Sequence, residues 1–176
     1  AGFVCLMVGV DSGLLRLGWT FPLLSADMSA LHGSLMVCGF LGTVISLERA
    51  VAIRQRWAYL APLSAALGGL TLIAGLPWLI GAVLFATASV ILSIATTNLL
   101  LRQQTLFMLT LLLGSLSWLL GNIFWLSGLA VAQVMPWWIG FLVLTIAGER
   151  LELSRFLPPS FKSKIAFVVI ITVFLL

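Results

Sequence analysis

The stretch LIGAVLFATASVILSIATTNLLL, residues 79–101, contains no charged side chain and is long enough to cross a lipid bilayer as a helix. A hydrocarbon core of ~30 Å needs about 20 apolar residues in helical conformation. The rest of the chain is similar in character, since 62% of its residues are hydrophobic and only 8% are charged. A transmembrane β-barrel would need alternating apolar and polar positions instead. The sequence therefore predicts an all-α, polytopic transmembrane helical bundle.

Charged and turn-forming residues divide the chain into about seven predicted helices. They cover residues 1–19, 30–53, 60–76, 79–101, 106–126, 130–152 and a last segment from 165. Because the chain begins and ends inside apolar runs, we expect it to be part of a longer protein. Its predicted partners are the lipid bilayer and further helices of the same protein or of other membrane subunits. The net charge of +4 does not indicate nucleic-acid binding, because basic residues in membrane proteins usually report topology.

The positions of the basic residues predict how the chain is oriented. Eight of the nine lie at or beyond the ends of the second, fourth and sixth predicted helices: Arg49, Arg54, Arg56, Arg102, Arg150, Arg155, Lys162 and Lys164. Only Arg16 lies toward the opposite side. Cytoplasmic loops carry an excess of Lys and Arg. We therefore predict a bacterial-type inner-membrane protein in which the ends of these three helices are cytoplasmic.

Two segments of the chain resemble each other at an offset of 101 residues. Residues 39–49 are GFLGTVISLER and residues 140–150 are GFLVLTIAGER, with Gly, Phe, Leu, Ile, Glu and Arg matched. A matched Glu-Arg pair is informative because charged residues are so few. The similarity predicts a duplicated four-helix unit, with a first repeat at 1–104 and the start of a second, truncated repeat at 105–176. The alternative is a chance likeness of two cytoplasmic helix ends.

His32, the only histidine, lies near the outer end of the second predicted helix. At 100° per residue it shares one narrow face with Met36, Gly39 and Thr43, and these four residues are called the His32 stripe below. Small residues beneath an imidazole suit either a flat apolar cofactor or the close packing of another helix. The simplest alternative is an interfacial histidine that is hydrated by water.

The motif HGSLMV, residues 32–37, resembles the start of helix 2 in the catalytic subunit of the haem-copper oxidases, where His-Gly-x-x-Met supplies an axial ligand of the low-spin haem. The segment SGLLRLG, residues 12–18, is similar to the end of helix 1 in that family. The chain also resembles the NnrS family of haem- and copper-associated membrane proteins. In that family Met follows the His by four residues, and Gly-Phe follows it by seven and eight, as in GF at residues 39–40.

The resemblance implies a haem-binding redox scaffold. It would make His32 the ligand of the haem iron, with Met36, Gly39 and Thr43 lining the cofactor and Arg16 close to its propionates. The sequence departs from the oxidases in having no second histidine, so no copper centre is expected in these residues. A second axial ligand would come from further helices or another chain. No catalytic residue is predicted.

Asp11 lies ~12 Å along the first predicted helix from Trp19, which places it deep in the membrane. An ionisable side chain at that depth needs a partner or a proton. Three hypotheses remain open for Asp11: it orients His32, it relays protons, or it forms a structural hydrogen bond to a neighbouring helix.

The repeated Glu48-Arg49 and Glu149-Arg150 pairs lie at the cytoplasmic ends of their helices. Adjacent residues diverge by 100°, so each Glu is expected to pair with the other helix, Glu48 with Arg150 and Glu149 with Arg49. These structural charge pairs would clamp the two repeats together. The functional alternative is a cytoplasmic gate or a proton entry point.

Two other classes of function compete with the haem scaffold. The first is a transporter or channel built from parallel four-helix repeats, with Asp11 and the Glu-Arg pairs as its charged machinery. The second is a non-catalytic structural subunit of a larger membrane complex. Most of the remaining intramembrane polar side chains, a group that includes Asn122, can bond to carbonyls of their own helices. Cys5 and Cys38 are expected to be packing residues.

Overall fold

The computed structural model describes residues 1–19, 26–154 and 169. These residues form six helices and no strand: α1 (Gly2–Arg16), α2 (Met28–Ile53), α3 (Leu60–Ile73), α4 (Trp78–Arg102), α5 (Leu106–Leu126) and α6 (Val131–Ser154). The predicted all-α fold is confirmed. The seventh predicted helix, from residue 165, lies outside the described residues apart from Val169.

Four of the six helices, α2, α4, α5 and α6, are long and apolar enough to cross a membrane. Their outward faces are largely apolar, and many of their polar side chains lie inside. On α4, for example, Leu79, Val83 and Val90 are exposed, whereas Ser89 and Thr96 are buried. This arrangement suits a lipid environment, because apolar side chains that face lipid are not exposed to water and carry no unfavourable hydration free energy. The structure is thus that of a helical membrane protein.

Glycines end three of the helices on the same side of the bundle. Gly18, Gly75 and Gly128 have φ values of +88°, +72° and +93°, a conformation that side chains other than glycine rarely adopt. In each case the next amide bonds back to the last turn, as Trp19 N does to Leu14 O at 3.1 Å. This motif stops a helix. It explains why α1 and α3 each end three residues before the predicted limits of 19 and 76.

The helix α2 changes its geometry along its length. Its first residues belong to a 3₁₀ segment (Ala26–Leu31) that starts two residues earlier, and Leu35–Leu41 forms a π-helix before α-helical geometry resumes. The π-helix coincides with the closest approach of α2 and α3, where a Cβ on Gly69 would lie 3.3 Å from Gly39 Cα. Such wide turns are uncommon and frequently occur at functional sites. Hydropathy alone did not predict this feature.

The centre of the bundle is filled by large aromatic side chains. Trp118, Trp138, Phe85 and Phe141 are fully buried. The Trp118 and Phe141 rings, called the aromatic pair below, stack with centroids 4.9 Å apart and an interplanar angle of 9°. The helices come close enough because Gly42 faces the Trp118 ring, where a Cβ would overlap it.

The helices α2 and α6 run parallel and touch near both ends. Near their starts, a Cβ on Gly33 would lie 3.3 Å from both Met135 and Val131. At their other ends, Arg49 Nη2 lies 3.5 Å from Glu149 Oε1. Parallel helices are what a parallel repeat requires. The duplication itself, with repeats at 1–104 and 105–176, stays a prediction.

Candidate functional site

The His32 ring lies against α1. Its Nδ1 is 2.7 Å from the carbonyl oxygen of Gly9, and a Cβ on Gly13 would lie 2.8 Å from the ring. A carbonyl can only accept a hydrogen bond, so Nδ1 carries a proton and donates it. In the neutral ring the lone pair is then on Nε2, and Nε2 has no hydrogen bond to any residue in the described ranges. Asp11 does not orient the ring.

The rest of the His32 stripe is also covered by α1. Met36 packs on Gly9, Gly39 on Cys5, and Thr43 on Gly2, all at or near van der Waals contact. Of the two uses that the pattern allows, the structure shows close packing of a helix. α1 therefore lies along the part of the face, Met36, Gly39 and Thr43, that the resemblance assigns to the cofactor lining. No group of three or more His, Cys, Asp or Glu side chains that would hold a metal occurs within residues 1–19 and 26–154.

The two charged residues of α1 stand apart from this contact. Arg16 is exposed at the end of the helix, and Asp11 is half-buried. Neither forms an ion pair with another of the described residues. Their predicted roles, beside haem propionates and in a proton relay, stay predictions.

Arg49 is the most deeply buried charge in the described part of the chain. Its side chain is 7% exposed, and its Nη2 contacts two carboxylates: Glu48 Oε1 at 3.2 Å and Glu149 Oε1 at 3.5 Å. Glu48 is 55% exposed and Glu149 is 35% exposed. The three residues, called the charged cluster below, join α2 to α6. The guanidinium is thus nearly enclosed while its two partners reach the end of the bundle.

The charged cluster corrects one half of the predicted clamp. The Arg49–Glu149 pair is present as expected, but Glu48 pairs with its own neighbour, Arg49, and not with Arg150. The 100° divergence of adjacent residues does not keep them apart, because the long Arg49 side chain presents several N–H groups and reaches sideways. Arg150 is exposed and forms no ion pair with another of the described residues.

A small cavity adjoins Arg49 between α2, α4, α5 and α6. The volume open to the centre of a water molecule is about 10 Å³. Thr96, Ser115 and Thr145 contribute hydroxyls to its lining, and Phe141 also lines it. Arg49 Nε is buried and has no hydrogen-bond partner among the described residues. The sequence repeat indicated the Glu-Arg pairs. It did not predict that hydroxyl-bearing residues of three other helices would lie beside Arg49.

A second polar cluster lies beyond the aromatic pair and centres on Asn122. Its Oδ1 accepts hydrogen bonds from Trp138 Nε1 at 3.1 Å and from Cys38 Sγ at 3.5 Å. Its Nδ2 donates to Phe85 O at 3.1 Å, and Trp118 Nε1 donates to Cys38 Sγ at 3.3 Å. Asn122 thus differs from what is expected of most of the intramembrane polar side chains, because its partners lie on other helices. The signal in the sequence was the presence of tryptophans in the apolar helices. The indole N–H groups of Trp118 and Trp138 need acceptors when they are buried, and Cys38 and Asn122 supply them.

The fold and these clusters define a class: an α-helical membrane protein with a polar, charged interior at one end of its bundle. Within that class, the chain belongs to the family described as Domain of unknown function (DUF8744), which it matches over residues 1–176. None of the curated proteins and none of the solved structures matches the chain.

Proposed function

We propose that this protein is a membrane transport protein, a transporter or channel, in which the charged cluster acts as a gate. One observation carries the proposal: Arg49 is 7% exposed, lies between carboxylates of α2 and α6, and borders a polar cavity. Removing an ion from water costs several kcal/mol even in a protein. Intramembrane charges that face the interior of a bundle commonly mark the path of a solute or an ion.

The aromatic pair supports a closed state for such a path. Phe141 lines the cavity and stacks on Trp118, so the polar space ends where the aromatic core begins. Widening the path requires α2 and α6 to separate. That movement breaks the contact between Arg49 and Glu149, which is the ion pair between these two helices. The charged cluster would therefore control opening.

The location of the gate follows from the charge distribution. Basic residues concentrate at the ends of α2, α4 and α6, and the positive-inside rule makes this side cytoplasmic in a bacterial-type inner membrane. The parallel course of α2 and α6 supports the duplicated unit, with the gate at the interface between the two repeats.

Flux measurements on purified protein in liposomes test this function. We expect passage of protons, monovalent cations or small anions, followed with fluorescent dyes under an imposed gradient. Glu149→Gln keeps the shape of the side chain but removes the charge that holds Arg49, so we expect flux to rise about tenfold, equivalent to ~1.4 kcal/mol. Glu152→Gln on the same helix is the control. Flux that is absent throughout, or equal in the two variants, would contradict the proposal.

The haem-binding scaffold is a second candidate, and the geometry of His32 favours it. A ligating histidine almost always donates its other ring N–H to a carbonyl, a carboxylate or water, and Nδ1 does so to Gly9. Nε2 would then be the atom that binds the haem iron. The other residues of the His32 stripe would not contact the haem in this arrangement. The absorbance spectrum of protein purified from haem-supplemented cells tests this role. A Soret band that His32→Ala abolishes supports it, and a colourless wild type rejects it.

A further inference from the structure

Two residues that line the cavity beside Arg49 carry hydrogen-bond donors. Arg49 Nε–H is buried and has no partner among the described residues. Thr145, which is 3% exposed, lines the same cavity, and its hydroxyl can donate a hydrogen bond. Buried donors are nearly always paired in native proteins, with protein atoms or with ordered water.

The same cavity also presents acceptors. Thr96 Oγ1 donates its hydrogen to Leu92 O at 2.8 Å, and Ser115 Oγ donates to Leu112 O at 2.9 Å. Each hydroxyl donates its only hydrogen to a carbonyl of its own helix, so its oxygen lone pairs are what it can offer to a ligand in the cavity. The four residues that carry these two donors and two acceptors come from four different helices and line one small space.

We propose that this cavity is a binding site for a single water molecule. The volume of about 10 Å³ matches the roughly 10–15 Å³ that one buried water needs on this measure, and such a water needs two to four polar partners. Water can accept from Arg49 and Thr145 and donate to Thr96 and Ser115. An anion cannot use the two acceptors and would meet the negative charge of two carboxylates, and a cation cannot use the two donors.

The bound water gives the charged cluster a hydrogen-bonded connection to the rest of the bundle. It holds the Nε edge of the guanidinium, so that Nη2 remains directed at Glu48 and Glu149. The connection runs from the exposed end of the bundle through Arg49 to hydroxyls on α4, α5 and α6. The site does not depend on the proposed transport, because it follows from the polar groups alone.

Water-edited solid-state NMR of the full chain in lipid bilayers tests this site. Magnetisation passes from water to nearby N–H groups, and the build-up at Arg49 Nε is compared with that at Trp138 Nε1, a buried donor bonded to Asn122. The Arg49 signal is assigned by its loss in Arg49→Lys. We expect a several-fold faster build-up at Arg49 Nε than at Trp138 Nε1. Equal, slow build-up at the two nitrogens would overturn the proposal, whatever the flux assay gives.

A pair of variants gives a second test. Thr145→Val removes one donor from the cavity, and we expect the build-up at Arg49 Nε to fall several-fold. Thr110→Val is the matched control, because Thr110 is equally buried but bonds to Leu106 O, away from the cavity. An unchanged build-up in folded Thr145→Val would also overturn the proposal. Should that variant not fold, the wild-type comparison of Arg49 with Trp138 still decides.

Discussion

At the scale of the residue, single polar side chains hold this bundle together where the hydrophobic effect cannot. Between helices in lipid, apolar contact gives no preference over lipid contact, so hydrogen bonds and close packing carry more of the association. Asn122 connects α5 to Trp138 on α6, to Cys38 on α2 and to Phe85 on α4. The side chain is completely buried and uses both ends of its amide.

Replacing Asn122 with leucine tests this connection. Asn122→Leu leaves the indole N–H of Trp138 without its acceptor, and a buried group left unsatisfied costs about 1–3 kcal/mol. We expect the free energy of unfolding in detergent micelles to fall by about that amount. Asn98→Leu is the control, since Asn98 is exposed on α4 and its replacement should have little effect. Equal stability of the two variants would show that the Asn122 bonds contribute nothing.

The charged cluster was predicted only in part from the sequence. The repeat in the sequence led to the Arg49–Glu149 pair, because it singled out charges in a chain that has few. It did not predict that Glu48 would share the same nitrogen. That outcome depends on the rotamer of Arg49, which is selected by helices that are distant in sequence. The water site next to it depends on the same choice.

At the scale of the element, hydropathy predicted the bounds of the long helices. It did not predict the helix ends that are set by glycine. α4 and α5 lie within a residue of the predicted ranges 79–101 and 106–126. The ends of α1 and α3 were misplaced because a left-handed glycine ends a helix inside an apolar run. The His32 stripe was recognised as a narrow face, but a one-dimensional pattern does not say which object covers it. Here that object is α1.

The glycine contact between α2 and α3 is a point of close helix packing. A Cβ on Gly69 would lie close to Cys5 Sγ and 3.3 Å from Gly39 Cα, which is backbone and cannot move aside. We expect Gly69→Val to lower the free energy of unfolding by about 1–3 kcal/mol, the usual cost of overpacking. Leu67→Val, on the exposed face of α3, is the control. A Gly69→Val protein as stable as this control would mean that α2 and α3 are not in contact in the bilayer.

At the scale of the whole molecule, the structure separates its polar groups by position along the bundle. The charged cluster and its hydroxyl-lined cavity lie at one end, the aromatic pair and the Asn122 cluster occupy the middle, and His32 lies near the other end. An apolar exterior surrounds all three. A solute that crosses the bundle in the proposed way meets the charged cluster at one membrane surface. The orientation of the bundle decides whether that surface faces the cytoplasm or the outside.

The orientation of the bundle can be measured with single cysteines, because Cys5 and Cys38 are buried. Ser127 is exposed in the turn between α5 and α6, and Gln104 is exposed between α4 and α5, at the opposite end of α5. We expect an impermeant thiol reagent on whole cells to label Ser127→Cys at once and Gln104→Cys only after the membrane is opened. The physical reason is the excess of Lys and Arg on the Gln104 side, which is retained in the cytoplasm. Labelling of Gln104→Cys in intact cells, with Ser127→Cys protected, would invert the topology and place the Arg49 gate on the outer surface.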